Sequence, residues 1–141
     1  LEDSLVIGDP DAPIKLFLFD DPVCPYCKKI QPELEKVVEL RPDIAIYIKM
    51  FPLDMHPDAF DKARAILCEN SLELLHKSLD GEELPPPSCE SDAVAQTKEL
   101  AKKLGIRSTP TLVYPDGLVI PGFRQAERII ERLGEDKTAE Q

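Results

Sequence analysis

Hydrophobic residues recur along this chain with two different periods, and the switches between them outline a fold. Ile14-Lys15-Leu16-Phe17-Leu18-Phe19 is an apolar run of strand length, introduced by the turn-like Gly8-Asp9-Pro10-Asp11-Ala12-Pro13, and reads as a buried central strand. Beyond Asp20-Asp21-Pro22-Val23 and a short cysteine-bearing segment, Ile30, Leu34, Val37, Val38 and Leu40 fall at three- and four-residue intervals. Lys28, Glu33, Glu35 and Lys36 fill the other positions, the pattern of an amphipathic helix. Pro32 is expected to kink this helix near its first turns, and Pro42 follows its end. Ile44-Ala45-Ile46-Tyr47-Ile48 is rich in β-branched residues and predicts a second strand, parallel to the first across the helical crossover.

From Pro57 to Gly105 the spacing is helical. It predicts helices over Ala59 to Cys68, Leu72 to Leu79 and Ala93 to Leu104, with an extended proline-rich loop from Gly81 to Ser88 between the last two. Thr111 to Tyr114 and Leu118 to Ile120 read as short strands of a hairpin around Pro115-Asp116-Gly117. A last helix carries Ile129, Ile130 and Leu133 on one face and ends at Gly134, leaving residues 135–141 as an expected disordered tail. The fold class is therefore α/β. A β-α-β unit and a β-β-α unit share a mixed sheet, with a helical insertion over about residues 57–105, in one domain spanning residues 1–134.

Composition narrows the function more than the fold. A chain of 141 residues with 43% hydrophobic residues can bury a core without metal or dense cross-linking. Its net charge of −10 argues against nucleic acid or an anionic membrane as partner, because both require a basic footprint. No apolar run approaches the length of a membrane span. The chain begins at Leu1 without a signal-peptide pattern, so a mature or trimmed segment is expected, a reading that leaves room for a removed leader or N-terminal domain.

The candidate chemistry lies in the four cysteines. Cys24 and Cys27 form a C-x-x-C at the joint between the first strand and the first helix, whereas Cys68 and Cys89 stand 21 positions apart. An even count suits an oxidising compartment. At that joint the first cysteine sits at a helix N-terminus, where free N–H groups and the helix dipole favour a thiolate, the species that attacks disulfides. Cys24 is thus the expected nucleophile and Cys27, one turn further in, the expected resolving thiol. Pro25 and Tyr26 lie between them and tune the N–H geometry facing the sulfur. Lys28 and Lys29 are expected to support the thiolate modestly and Asp20 and Asp21 to oppose it. No cofactor is called for. A zinc site, the competing reading of C-x-x-C, would need two further ligands at suitable spacing, and His56 and His76 are lone residues in different elements. Both histidines read as surface or capping residues. Met50 and Met55 with His56 lack the repetition of a copper site.

Asp21-Pro22-Val23-Cys24-Pro25-Tyr26-Cys27-Lys28, with Pro32 five places after the second cysteine, resembles the thioredoxin superfamily, and Ser108-Thr109-Pro110-Thr111 resembles its cis-proline loop. The resemblance implies a cis Thr109-Pro110 bond facing the cysteines. It also implies that Thr109 and Pro110, with Pro25 and Tyr26, border the substrate, whose extended chain pairs with the backbone of Thr109 as an added strand. Ordinary thioredoxins carry a buried acid six places before the nucleophile; here that place is Leu18, which puts thioredoxin-like proton handling in question. The threonine before the proline, the C-P-Y-C motif, and Cys68 and Cys89 flanking the insertion are together similar to the catalytic domain of bacterial DsbC/DsbG-type disulfide isomerases, over roughly residues 5 to 133.

That likeness implies a structural Cys68–Cys89 disulfide, the alternative being two free thiols in a cytosolic protein. It further implies an extracytoplasmic, periplasmic setting, clients bearing disulfides or cysteines, and a DsbD-like membrane reductant. DsbC/DsbG proteins pair two catalytic domains through an N-terminal dimerisation domain; this chain begins almost at the catalytic domain and is expected to be monomeric. Three rival functions stand beside isomerisation: net dithiol oxidation of the DsbA kind, reduction of sulfenylated cysteines, and a metal-binding or chaperone role without turnover.

Overall fold

The computed structural model describes residues 4–134; the expected tail at 135–141 lies outside the described residues. The strands are β1 (Leu5–Ile7), β2 (Ile14–Asp20), β3 (Ile44–Met50), β4 (Thr111–Val113) and β5 (Val119–Pro121). The helices are α1 (Pro25–Leu40), α2 (Ala59–Glu69), α3 (Leu72–Leu79), α4 (Ala93–Leu104) and α5 (Ala126–Leu133). The sheet runs β1-β3-β2-β4-β5, with β2 and β3 parallel and every other pairing antiparallel. This is the expected mixed sheet with one addition: β1 was not anticipated. It pairs with the outer edge of β3, Leu5 opposite Ile48 and Ile7 opposite Ile46.

Both central strands are buried along nearly their whole length because helices cover the two faces of the sheet. Leu16, Leu18, Ile46 and Ile48 belong to one apolar cluster with Ile30, Leu34 and Val37 of α1 and Ile129 and Leu133 of α5. Burying each such side chain contributes roughly 1.5–3 kcal/mol. Phe19, Phe51, Ala101 and Ile106 form a second cluster that involves α4. Local chemistry ends the helices of the insertion. Asn70, in the left-handed region at φ 48°, closes α2, and the Ser71 hydroxyl then accepts the Leu74 N–H at 3.0 Å to start α3. Gly8, at φ +93°, turns where an added Cβ would come within 3.1 Å of Val38 and 3.2 Å of the Ile44 carbonyl.

Helix α1 begins at Cys24, whose backbone is extended (φ −79°, ψ 128°), and Pro25 stands at its first position, where no N–H is needed. Pro32 is accommodated inside an unbroken α1. Cys68 and Cys89 are joined, S–S 2.08 Å, tying α2 to the loop before α4.

Candidate active site

The carboxyl ends of β2 and β3, the start of α1 and the loop before β4 converge on Cys24. Its sulfur lies 3.7 Å from the backbone carbonyl oxygen of Thr109, and the Thr109-Pro110 peptide is cis, the geometry implied by the resemblance. Gly122 N–H donates to the Pro110 carbonyl at 2.7 Å, holding the β5–α5 turn against the same loop. Cys24 is 7% exposed and Cys27 is fully buried; both are free thiols. Pro25 and Tyr26 stand outside, Tyr26 at 59% exposure. Cys24, Thr109 and Pro110 are thus brought together, and Pro25 and Tyr26 flank them on the first turn of α1.

The two sulfurs sit in opposed electrostatic settings. The Cys27 thiol foremost, then Thr109 and the backbone N–H groups of Cys27 and Tyr26, outweigh burial and lower the Cys24 thiol to about 5. Burial foremost, with the Cys24 sulfur and Asp20 adding to it, pushes the Cys27 thiol far up. One cysteine is poised as a thiolate and the other as a thiol. Neither Lys28 nor Lys29 is among the groups that lower the Cys24 thiol: Lys28 pairs with Asp80 at 3.2 Å, and the Lys29 ammonium lies 4.8 Å above the Phe123 ring.

Proton handling differs from the sequence expectation. Leu18 is core, yet the site has a buried acid two residues further on. Asp20, the last residue of β2, is fully buried, and burial raises its carboxyl from 3.8 to about 8 even though a hydrogen bond with Cys27 opposes the shift. Gln31 Nε2 donates to Asp20 Oδ2 at 3.4 Å, while Oδ1 has no partner among the described residues. The hydropathy pattern ends the strand at Phe19, whereas pairing of Asp20 with Met50 keeps Asp20 in the sheet.

Asp21, likewise expected to oppose the thiolate, is also buried. Its N–H donates to Cys27 Sγ at 3.4 Å, and its carbonyl accepts the Cys24 N–H at 3.3 Å. Its carboxylate accepts the N–H of Val23 and of Leu53, each at 2.8 Å, and meets His56 Nδ1 at 2.8 Å. His56, expected to be a surface or capping residue, is a quarter exposed and a partner of the site's framework. Ser78 Oγ donates to the Pro22 carbonyl at 2.7 Å, so α3 braces the same loop. Among the described residues no group of three or more His, Cys, Asp or Glu is placed to hold a metal ion.

A sheet of this order, closed over a C-x-x-C by a cis-proline loop, defines a thioredoxin-like protein, and the model of the thioredoxin-like domain family matches residues 6–136. The chain belongs to that family. Among its relatives, the "probable thiol:disulfide interchange protein DsbC" of Bordetella avium is 31% identical over 121 residues, 84% of this chain and 42% of that protein. The chain thus spans about two fifths of the length of that relative. The catalytic domain of Proteus mirabilis ScsC superposes with a TM-score of 0.82 at 26% identity, covering 96% of this chain and 89% of that one. A disulfide interchange protein from Neisseria gonorrhoeae superposes at 0.76 with 28% identity, covering 96% and 98%.

Proposed function

We propose that this chain is the catalytic unit of a thiol:disulfide oxidoreductase of the DsbC/DsbG kind, with Cys24 as nucleophile and Cys27 as resolving thiol. The observation that carries the reading is the Cys24 sulfur held at the start of α1, 3.7 Å from the Thr109 carbonyl, with its thiol lowered to about 5. The Cys24 thiolate attacks one sulfur of a client disulfide. The client S–S bond breaks, a Cys24–client bond forms, and the second client sulfur leaves as a thiolate that takes a proton from water. A different client thiolate can then attack the mixed disulfide, which moves the client's cross-link and returns the Cys24 thiolate. Alternatively Cys27 attacks Cys24, releasing the client thiol and oxidising the pair. Asp20, in its ionised form, is the buried group able to take the Cys27 proton in that step.

The backbone of Thr109 and the exposed faces of Pro25 and Tyr26 suit an extended client chain crossing the sulfur. A hollow of about 320 Å³ bordered by Phe51, Leu53, Met55, Lys98 and Arg107 lies beside the same loops and offers room for client side chains. The Cys68–Cys89 bond supports an extracytoplasmic setting, periplasmic in a bacterium. The likeness to DsbC proteins is what suggests clients that themselves carry disulfides and a DsbD-like electron donor.

Refolding of scrambled ribonuclease tests the reading. The parent chain is expected to restore ribonuclease activity under a glutathione buffer and Cys24→Ala to fall to the uncatalysed rate. Full activity in Cys24→Ala would remove the central assignment.

A further inference from the structure

Asp21 is the hub of the loop that carries the cysteines, and it reaches them only through its backbone. Its N–H faces the Cys27 sulfur at 3.4 Å and its carbonyl holds the Cys24 N–H at 3.3 Å, so rotation of this one residue would disturb the Cys27 sulfur and the backbone that carries Cys24. What prevents rotation is the side chain. The carboxylate is fully buried and takes three donors: Val23 N–H within its own turn, Leu53 N–H, and the ring of His56. Two of the three come from the segment after β3, more than 30 positions away, which is itself a turn closed by His56 N–H to the Leu53 carbonyl at 3.0 Å. Val23 and Leu53 donate through backbone N–H groups, which every residue but proline supplies. His56 is the one side chain among the three, and its ring is a quarter exposed while the carboxylate it meets is not exposed at all.

Resting on the functional reading above, we propose that His56 is a positioning residue of the redox centre, holding the Asp21 carboxylate and thereby the Asp21 backbone, whose N–H faces the Cys27 sulfur and whose carbonyl holds the Cys24 N–H. His56 touches neither sulfur nor substrate. With the ring removed, a buried carboxylate loses one of its three donors, and its field near the cysteines goes less compensated. Both consequences disfavour negative charge on Cys24. The thiolate becomes harder to form, and because the thiolate stabilises the dithiol form, the pair becomes harder to reduce.

The test uses His56→Ala, His56→Leu and His56→Asn beside the parent, each first checked for folding by circular dichroism. His56→Leu keeps the bulk without a donor, so the result is read on whichever of the two apolar variants folds. His56→Asn presents an amide N–H close to where Nδ1 stands. Equilibration with glutathione is expected to shift about tenfold toward the disulfide in the apolar variants, which for a two-electron couple is about 30 mV more reducing. The midpoint of the thiolate absorbance titration at 240 nm is expected to rise in step, and His56→Asn to return both readouts to within about twofold of the parent. A histidine that merely packs the loop would lower thermal stability and move neither readout. An apolar variant whose equilibrium and thiolate midpoint both match the parent overturns the proposal, as does a His56→Asn variant displaced as far as His56→Ala. Both readouts are taken on the cysteine pair without a client. A parent chain that titrates as expected but fails to refold ribonuclease would therefore remove the functional reading and leave the role of His56 intact.

Discussion

The sulfur of Cys24 stands 3.7 Å from the carbonyl of Thr109, a contact made across 85 positions of the chain. The same threonine has a buried hydroxyl with no hydrogen-bond partner among the described residues, and Thr109 is among the groups that lower the Cys24 thiol. An unpartnered buried hydroxyl is costly in a resting fold, and a thiolate beside it would use the donor. Thr109→Val keeps the shape and removes that donor. The expected result is a thiolate titration at 240 nm whose midpoint moves up from about 5 by about one pH unit or less. A midpoint unchanged or lowered would show that the hydroxyl does not serve the sulfur.

The lowered Cys24 thiol also links redox state to stability. Its ordinary value of 9.0 applies in the unfolded chain and about 5 in the fold, so between these values the unfolded reduced chain holds a proton that the native one has released. Reduced-state stability from this group is complete above pH 9 and is lost as pH falls through 5. The oxidised form has no such titration. The melting temperature of the reduced form, measured relative to the oxidised form, is expected to rise between pH 5 and pH 9. A difference that stays flat over that range would contradict a thiolate at Cys24.

Much of this site could be read from the sequence, and the parts that could not share a physical cause. The bounds of α3 and α4 follow directly from the spacing of their apolar residues, and the C-x-x-C at a strand–helix joint announces itself. β1 has three residues, too few for any period to register, and exists because it pairs along β3. Asp20 escaped because a charged residue after an apolar run reads as solvent-facing; only the pairing with Met50 and the packing above it bury the carboxyl. The Asp21–His56 contact joins residues 35 apart in two loops, where no periodicity operates. Local pattern reports elements well, but it is silent on polar pairs made between loops.

Asp20 carries a stability cost with the opposite pH sense to that of Cys24. Its carboxyl is raised from 3.8 to about 8 by burial, so the native chain keeps a proton that the unfolded chain releases. Its contribution to stability is most favourable below pH 4, declines as pH rises through 8, and is then level, a loss on the order of a few kcal/mol. Asp20→Asn is uncharged at every pH and escapes the decline. Measured on the oxidised form, the variant is expected to melt higher than the parent at pH 8 and to differ little at pH 4. It should also resolve mixed disulfides more slowly, because the Cys27 proton has lost its buried acceptor. A variant that melts lower than the parent at pH 8 would mean that the carboxylate is stabilised in place.

The Cys68–Cys89 bond makes a contrasting prediction, because it ties the insertion to itself. Its 21-residue separation limits the unfolded chain, which on chain-entropy grounds is worth about 3 kcal/mol. Replacing both cysteines by alanine is expected to lower unfolding free energy in urea by about that amount. Most of the loss should come from the unfolded state, where the freed loop regains its conformations. The 240 nm titration of Cys24 should keep its midpoint, since neither Cys68 nor Cys89 is among the groups that shift it. A double variant as stable as the parent would show that the insertion is held by packing alone. One whose Cys24 midpoint moved would show instead that the insertion transmits strain to the loop that Ser78 braces.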